Sequence, residues 1–93
     1  MIYVITYDID DDKKRYRISK ILEEFGVRVQ ESVFECNLNS FLYDQLLNKL
    51  KKFDDSSGGV NIRIYPLCKD CFLKAVGFGE LKQLPGLKGY EII

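Results

Sequence analysis

The amino-acid sequence predicts an α+β fold: a single antiparallel sheet with helices packed on one face. Three patterns carry that prediction. β-Branched and aromatic runs recur as short strands, two segments space their apolar residues at helical intervals, and turn residues separate them in the order β-α-β-β-α-β over residues 1 to about 67. At 93 residues the chain supports one domain with one core.

The first run, Ile2-Tyr3-Val4-Ile5-Thr6-Tyr7, is apolar on both parities and reads as a central strand covered on both faces, ending at Asp8. Asp10-Asp11-Asp12 supplies an N-cap and an acidic first turn for a helix that buries Ile18, Ile21, Leu22 and Phe25. Gly26 falls where a left-handed C-terminal cap is expected. Val27 and Val29 are apolar at odd positions, whereas Phe34, Cys36 and Leu38 are apolar at even ones. A tight hairpin or a bulge must therefore lie across Gln30-Glu31-Ser32. The second helix starts near Asn39 or Ser40 and buries Leu42, Leu46, Leu50 and Phe53, with Lys49, Lys51 and Lys52 complementing its C-terminal end. After the polar turn Asp54-Asp55-Ser56-Ser57-Gly58-Gly59, the strand Val60 to Tyr65 sets Arg63 and Tyr65 opposite Val60, Ile62 and Ile64.

This order fits a ferredoxin-like sandwich with both helices on one face of the sheet. Residues 1–67 form its core; residues 68–93 form a glycine-rich tail ending in Tyr90-Glu91-Ile92-Ile93, too short for a core of its own. The tail is expected to add one or more strands to an existing sheet, its own or that of a second copy in a homodimer, with the partner's edge favoured. Dimerisation also suits a chain that buries only roughly two-thirds of its unfolded surface and whose first strand wants a second covering layer.

Composition excludes several chemistries. Fourteen Lys and Arg offset fourteen Asp and Glu, so any polyanion site must be local. No histidine is present, which removes imidazole bases and imidazole-bound zinc; acid–base work falls to carboxylates, Tyr, Lys or metal-bound water. Three cysteines and no apolar run long enough to span a bilayer read as a soluble cytoplasmic protein without a membrane role. Cys68-Lys69-Asp70-Cys71 is a lone C-x-x-C with too few partners for zinc, and no downstream helix is expected that would make it thioredoxin-like, so these cysteines read as structural or incidental.

Asp8 is the sharpest candidate, because a carboxylate at the end of a central strand is rigidly held. It reads either as a capping or solvated aspartate or as a ligand for a hard cation; four carboxylates in this connection would repel an anion. Lys13, Lys14, Arg15, Arg17 and Lys20 read either as a solvated helix face or as a phosphate-binding strip, with Arg28, Arg63 and Tyr65 adding polar and stacking groups. Phe34 with Tyr3 or Tyr7 reads as base-stacking or as core.

The stretches Tyr7-Asp8-Ile9, Arg15 to Gly26, Arg28-Val29-Gln30-Glu31-Ser32-Val33-Phe34-Glu35 and Arg63-Ile64-Tyr65 closely resemble the CRISPR-associated protein 2 family. The resemblance implies a homodimer with its sheets face to face and a divalent ion, Mg²⁺ or Mn²⁺, shared by Asp8 of each copy. It implies a metal-dependent endonuclease acting on RNA or DNA, with Asp8 catalytic, Tyr7, Arg15, Arg17, Arg28 and Phe34 binding nucleic acid, and Ser32 near the metal. It further implies a complex with the CRISPR integrase subunit during spacer acquisition and antiviral defence, in which the protein can also serve as a non-catalytic DNA-binding scaffold. A ferredoxin-like RNA-binding module fits poorly, since Ser32 to Cys36 offers one aromatic and no Arg/Lys-Gly pair. A small-molecule regulatory module is disfavoured by the acidic first loop.

Overall fold

The computed structural model describes residues 1–54, 58–82 and 90–92. The elements run β1 (Ile2–Ile9), α1 (Asp12–Phe25), β2 (Val27–Gln30), β3 (Val33–Asn37), α2 (Ser40–Lys51), β4 (Val60–Leu67), α3 (Lys69–Leu73), β5 (Ala75–Gly77) and β6 (Tyr90–Ile92). The first four strands form an antiparallel sheet in the order β2-β3-β1-β4, the ferredoxin-like arrangement expected from the sequence.

The pleat divides β1 between two environments. Ile5, Tyr7 and Ile9 join Ile18 and Leu22 of α1, Phe34 and Cys36 of β3, and Leu46 and Leu50 of α2 in one core, with Tyr3 packed at its margin. Tyr3 stacks on Tyr43 of α2, ring centroids 4.3 Å apart. The alternate residues Val4, Thr6 and Asp8 face away from the helices. Of the β1 residues on that side Ile2 is buried, under Phe72 of α3 and beside Val27 and Leu67.

β1 runs one residue beyond Asp8, because Asp8 and Ile9 continue the ladder to Asn61 and Val60 of β4. Asp11 is the N-cap of α1, its side chain accepting from the Lys14 amide. Gly26 departs from expectation: its backbone is extended (φ −167°), so no left-handed cap forms. Glycine is needed there because a Cβ would lie 2.3 Å from the Glu35 carbonyl oxygen. The phase change before Phe34 resolves into both devices at once, a turn at Glu31-Ser32 and a register shift between Arg28 and Gln30.

Asn39 caps α2. Leu46 and Leu50 are buried as expected and Phe53 packs against the core, but Leu42, in the first turn of α2, is exposed, since the helix packs on the core from its later turns. Gly58 and Gly59 adopt positive φ, and the Gly59 carbonyl accepts from the Asp10 amide at 2.9 Å, tying the turn before β4 to the loop after Asp8. Residues 55–57 of this turn lie outside the described residues.

The tail differs in two ways. Cys68 follows β4 directly and caps a short helix, contrary to the expectation that no helix opens at the C-x-x-C. Within one chain β5 and β6 pair with each other in parallel and do not extend the four-stranded sheet. Most of the glycine-rich stretch, with Pro85, Gly86, Gly89 and the terminal Ile93, lies outside the described residues. Among the described residues, no helix is long and apolar enough to cross a membrane.

Candidate metal and nucleic-acid site

The residues singled out in the sequence fall into three environments, and a buried carboxylate on the open face adds a fourth. Asp8 is exposed on the open face of the sheet, one residue from the end of β1 and directly across from Asn61. Thr6 and Arg63 form the next cross-strand pair on the same face, then Val4 and Tyr65. The Arg63 guanidinium donates to the Tyr65 hydroxyl at 3.5 Å. This face therefore ends in oxygen donors and is bordered by a cation and a phenol.

A second environment lies behind the sheet, in a cleft of about 310 Å³ between α1 and the β2–β3 turn. Tyr7, Arg15, Arg28 and Ser32 line it together with Asp12 and Tyr16. Arg15 donates to the Ile9 carbonyl at 2.9 Å and pairs with Asp12. Arg28 donates to the Glu31 carbonyl, lies 3.7 Å from Glu23 and places its guanidinium 5.2 Å from the Phe34 ring centroid. These contacts hold both guanidinium planes at the cleft mouth. The Ser32 carbonyl accepts from the Tyr7 amide at 3.1 Å, which fixes the turn beside the end of β1.

Two aromatic candidates are core. Phe34 is fully buried and Tyr7 is only 6% exposed, its hydroxyl donating to the Glu31 carbonyl. The ring of Phe34 offers no free face for a base. Its role is indirect, as the surface on which Arg28 rests. Tyr7 lines the cleft beside Glu31, to which its hydroxyl is bonded.

Arg17 occupies the third environment, a groove of about 580 Å³ between α1 and α2. Lys14, Lys20, Lys49 and Lys52 line it with Arg17, and Tyr16, Ile21 and Phe53 form its apolar floor. Sequence reasoning assigned Lys49 and Lys52 only to the end of a helix and passed over Tyr16, which is 63% exposed and borders both the groove and the cleft. The available signal was an aromatic residue inside a basic run.

The fourth environment is the β3 side of the open face, where Glu35 is buried opposite Val4. Burial raises its carboxyl pKa above the ordinary value. On the opposite, helix-covered face, burial of Cys36 in the core, followed by the neighbouring Glu35 charge, pushes its thiol up to about 12.

Among the described residues, no three of His, Cys, Asp and Glu converge as a ready metal centre. Asp8 and Asn61 nevertheless supply the donor type that a hard cation takes, carboxylate and amide oxygen on an open, hydrated surface. One chain provides a single carboxylate there. The donor set therefore fits Mg²⁺ or Mn²⁺ when two open faces meet and each contributes its Asp8, with water completing the shell.

The fold and this distribution define a ferredoxin-like α+β protein with an acidic strand end on its open sheet face and basic helices on the other. The chain belongs to the CRISPR-associated protein Cas2 family, whose model matches residues 1–75. It is 48% identical over 71 residues to the CRISPR-associated endoribonuclease Cas2 1 of Chloroflexus aurantiacus, covering 76% of each chain. It is also similar to the crystal structure of Streptococcus pyogenes Cas2, with 32% identity and a TM-score of 0.64 over 75% of this chain and 89% of that one. A chain of a partial Cas6-RT-Cas1–Cas2 complex matches with 32% identity and a TM-score of 0.61, covering 80% of this chain and 86% of the other.

Proposed function

We propose that this protein is a homodimeric, metal-dependent endonuclease of CRISPR spacer acquisition, cleaving phosphodiester bonds in RNA or DNA. The observation that carries the reading is Asp8: an exposed carboxylate on a central strand, opposite Asn61, on a sheet face left open by the helices. Similarity to a protein named as an endoribonuclease supports the activity, and the match to a chain of a Cas1–Cas2 complex supports an integrase partner.

Asp8 of each copy would hold Mg²⁺ or Mn²⁺ between the paired faces. When bound, the ion supplies charge neutralisation at the scissile phosphate and acidifies water. Asp8 otherwise acts as a fixed negative charge. Two such carboxylates brought together repel in a partly desolvated interface, and a divalent cation relieves the conflict. Arg63 borders the same face and orients a phosphate beside it. Arg15, Arg28 and Arg17, behind the sheet, bind backbone phosphates at a distance from the reacting bond.

The second reading, a DNA-binding scaffold without its own catalysis, is favoured by one observation: five basic side chains line the α1–α2 groove, far richer in charge than the single carboxylate on the opposite face. Cleavage of labelled RNA and duplex DNA by wild type and Asp8→Asn, each with and without EDTA, separates the two. The nuclease reading expects cleavage that needs Mg²⁺ or Mn²⁺, rises with pH and vanishes in Asp8→Asn while dimerisation survives. Cleavage that persists in both the variant and EDTA overturns it. Absence of cleavage in wild type with DNA binding intact supports the scaffold.

A further inference from the structure

We infer that Cys68 and Cys71 form a reversible dithiol–disulfide pair, a redox-modifiable site where the four-stranded sheet passes into the tail. The spacing alone is weak evidence; the local structure strengthens it. Cys68 leaves β4 with extended backbone and caps α3, and its sulfur accepts a hydrogen bond from the Cys71 amide at 3.3 Å. That bond folds the first turn of α3 back so that Cys71 stands beside the Cys68 sulfur. Residues three apart in a helical turn have Cα atoms about 5 Å apart, inside the range a disulfide spans. Both thiols are exposed, whereas Cys36 is sealed in the core.

The two sulfurs are also unequal. Hydrogen bonding from Cys71 lowers the Cys68 pKa, and the same interaction raises that of Cys71. Cys68 is therefore the attacking sulfur and Cys71 the resolving one. The oxidant is a low-molecular-weight disulfide. The Cys68 thiolate attacks one of its sulfurs, forming a mixed disulfide as the first small thiol leaves and takes up a proton. Cys71 then attacks the Cys68 sulfur, the bond to the second small thiol breaks, and that thiol leaves with the Cys71 proton. The protein dithiol loses two electrons and two protons, and the small disulfide becomes two thiols.

Position gives the pair a consequence. The next residue, Phe72, is 1% exposed and seals Ile2 on the open sheet face together with Val27 and Leu67. A disulfide one residue earlier closes the turn that holds this anchor, so the redox state of the pair is read at the base of the tail.

The test uses the full chain, reduced and then incubated with oxidised glutathione, quenched in acid, alkylated with iodoacetamide and analysed by intact and peptide mass spectrometry. The expected product is a monomeric-chain species whose peptide carrying both cysteines escapes alkylation and is about 2 Da lighter than the unalkylated dithiol, without a lasting glutathione adduct and reversed by dithiothreitol. Cys71→Ser should accumulate one lasting glutathione adduct at Cys68, and brief substoichiometric alkylation of the reduced wild type should label Cys68 before Cys71. A stable adduct on wild type, a disulfide between two chains on non-reducing electrophoresis, or equal reactivity of the two thiols overturns the inference. Wild type carries the primary readout, so misfolding of a serine variant leaves the inference open to refutation.

Discussion

Replacing Gly26 with alanine probes the joint on which the cleft depends. A Cβ at that position would lie 2.3 Å from the Glu35 carbonyl oxygen, 2.4 Å from the Cys36 sulfur and 2.9 Å from the Cys36 Cα, where ordinary contact begins at 3.4 Å. The α1–β2 junction and β3 must therefore separate by roughly 1 Å. Two of the three atoms are backbone of residues laddered to β1, Glu35 to Val4 and Cys36 to Tyr3, so no rotamer change absorbs the overlap. Overpacking a fitted interior costs about 1–3 kcal/mol, and a clash with a sheet backbone belongs at the upper end. Alanine recovers about 0.4–1 kcal/mol by restricting the unfolded chain, leaving a net loss of about 2 kcal/mol. For a domain of this size that is a fall in Tm of about 8–16 °C.

Urea and thermal denaturation followed by circular dichroism read the loss directly, and asparagine distinguishes the cause. If Gly26 served a left-handed cap, asparagine would be better tolerated than alanine. At φ −167° any residue is conformationally acceptable, so asparagine, being larger, should cost at least as much as alanine. Asparagine more stable than alanine, or alanine within about 0.5 kcal/mol of wild type, refutes the steric account. Because Arg28 lies two residues downstream, the displaced junction should also weaken nucleic-acid binding in the chains that stay folded.

Two further substitutions address buried residues near the site. Phe34→Leu should cost about 1–2 kcal/mol in urea denaturation yet retain most nucleic-acid affinity in filter binding, because the ring is a core residue and a seat for Arg28; selective loss of single-strand affinity at unchanged stability would restore the base-stacking role. Glu35→Gln should flatten part of the pH dependence of stability. Burial raises the folded-state pKa of Glu35, so its contribution is complete below the ordinary value of 4.5 and is lost as pH rises through the folded value. Urea midpoints between pH 4 and 8 should therefore decline more in wild type than in Glu35→Gln, and parallel profiles would show that Glu35 ionises alike in both states.

The sequence resolved the fold better than the site because periodicity reports which face a residue occupies, whereas residue type does not. Tyr7 shares the parity of Tyr3, Ile5 and Ile9, and Phe34 that of Cys36; the pleat that buries those neighbours buries these aromatics too. Asp8, of the opposite parity, is exposed, and Thr6 and Val4 on its side of the sheet are half-buried. Arg15 and Arg17 stand two residues apart on α1, about 200° around the helix, so they could not share one phosphate strip. Tyr16, about 100° from each, borders both cleft and groove, as helical geometry requires. The five-residue α3 was illegible because it is too short for an apolar period, and the separate β5–β6 pairing because three-residue strands carry almost no alternation.

This division between faces bears on the two functional readings. Asp8 and Arg17 of one chain lie on opposite sides of the four-stranded sheet, so a short nucleic-acid segment held in the α1–α2 groove does not reach the carboxylate of the same chain. Binding and cutting are therefore separable by substitution. On the proposed reading, Asp8→Asn takes away a metal ligand and leaves the basic groove in place, whereas Arg17→Ala takes away one phosphate contact and leaves Asp8 alone. The first should abolish cleavage with the salt dependence of binding unchanged, and the second should reduce the slope of log K against log salt by about 0.7–0.9 while cleavage at saturating nucleic acid persists. If Arg17→Ala abolished cleavage at saturation with Asp8 intact, groove and carboxylate would have to act on the same phosphate, and the separation of faces seen in one chain would have to be bridged by the second copy.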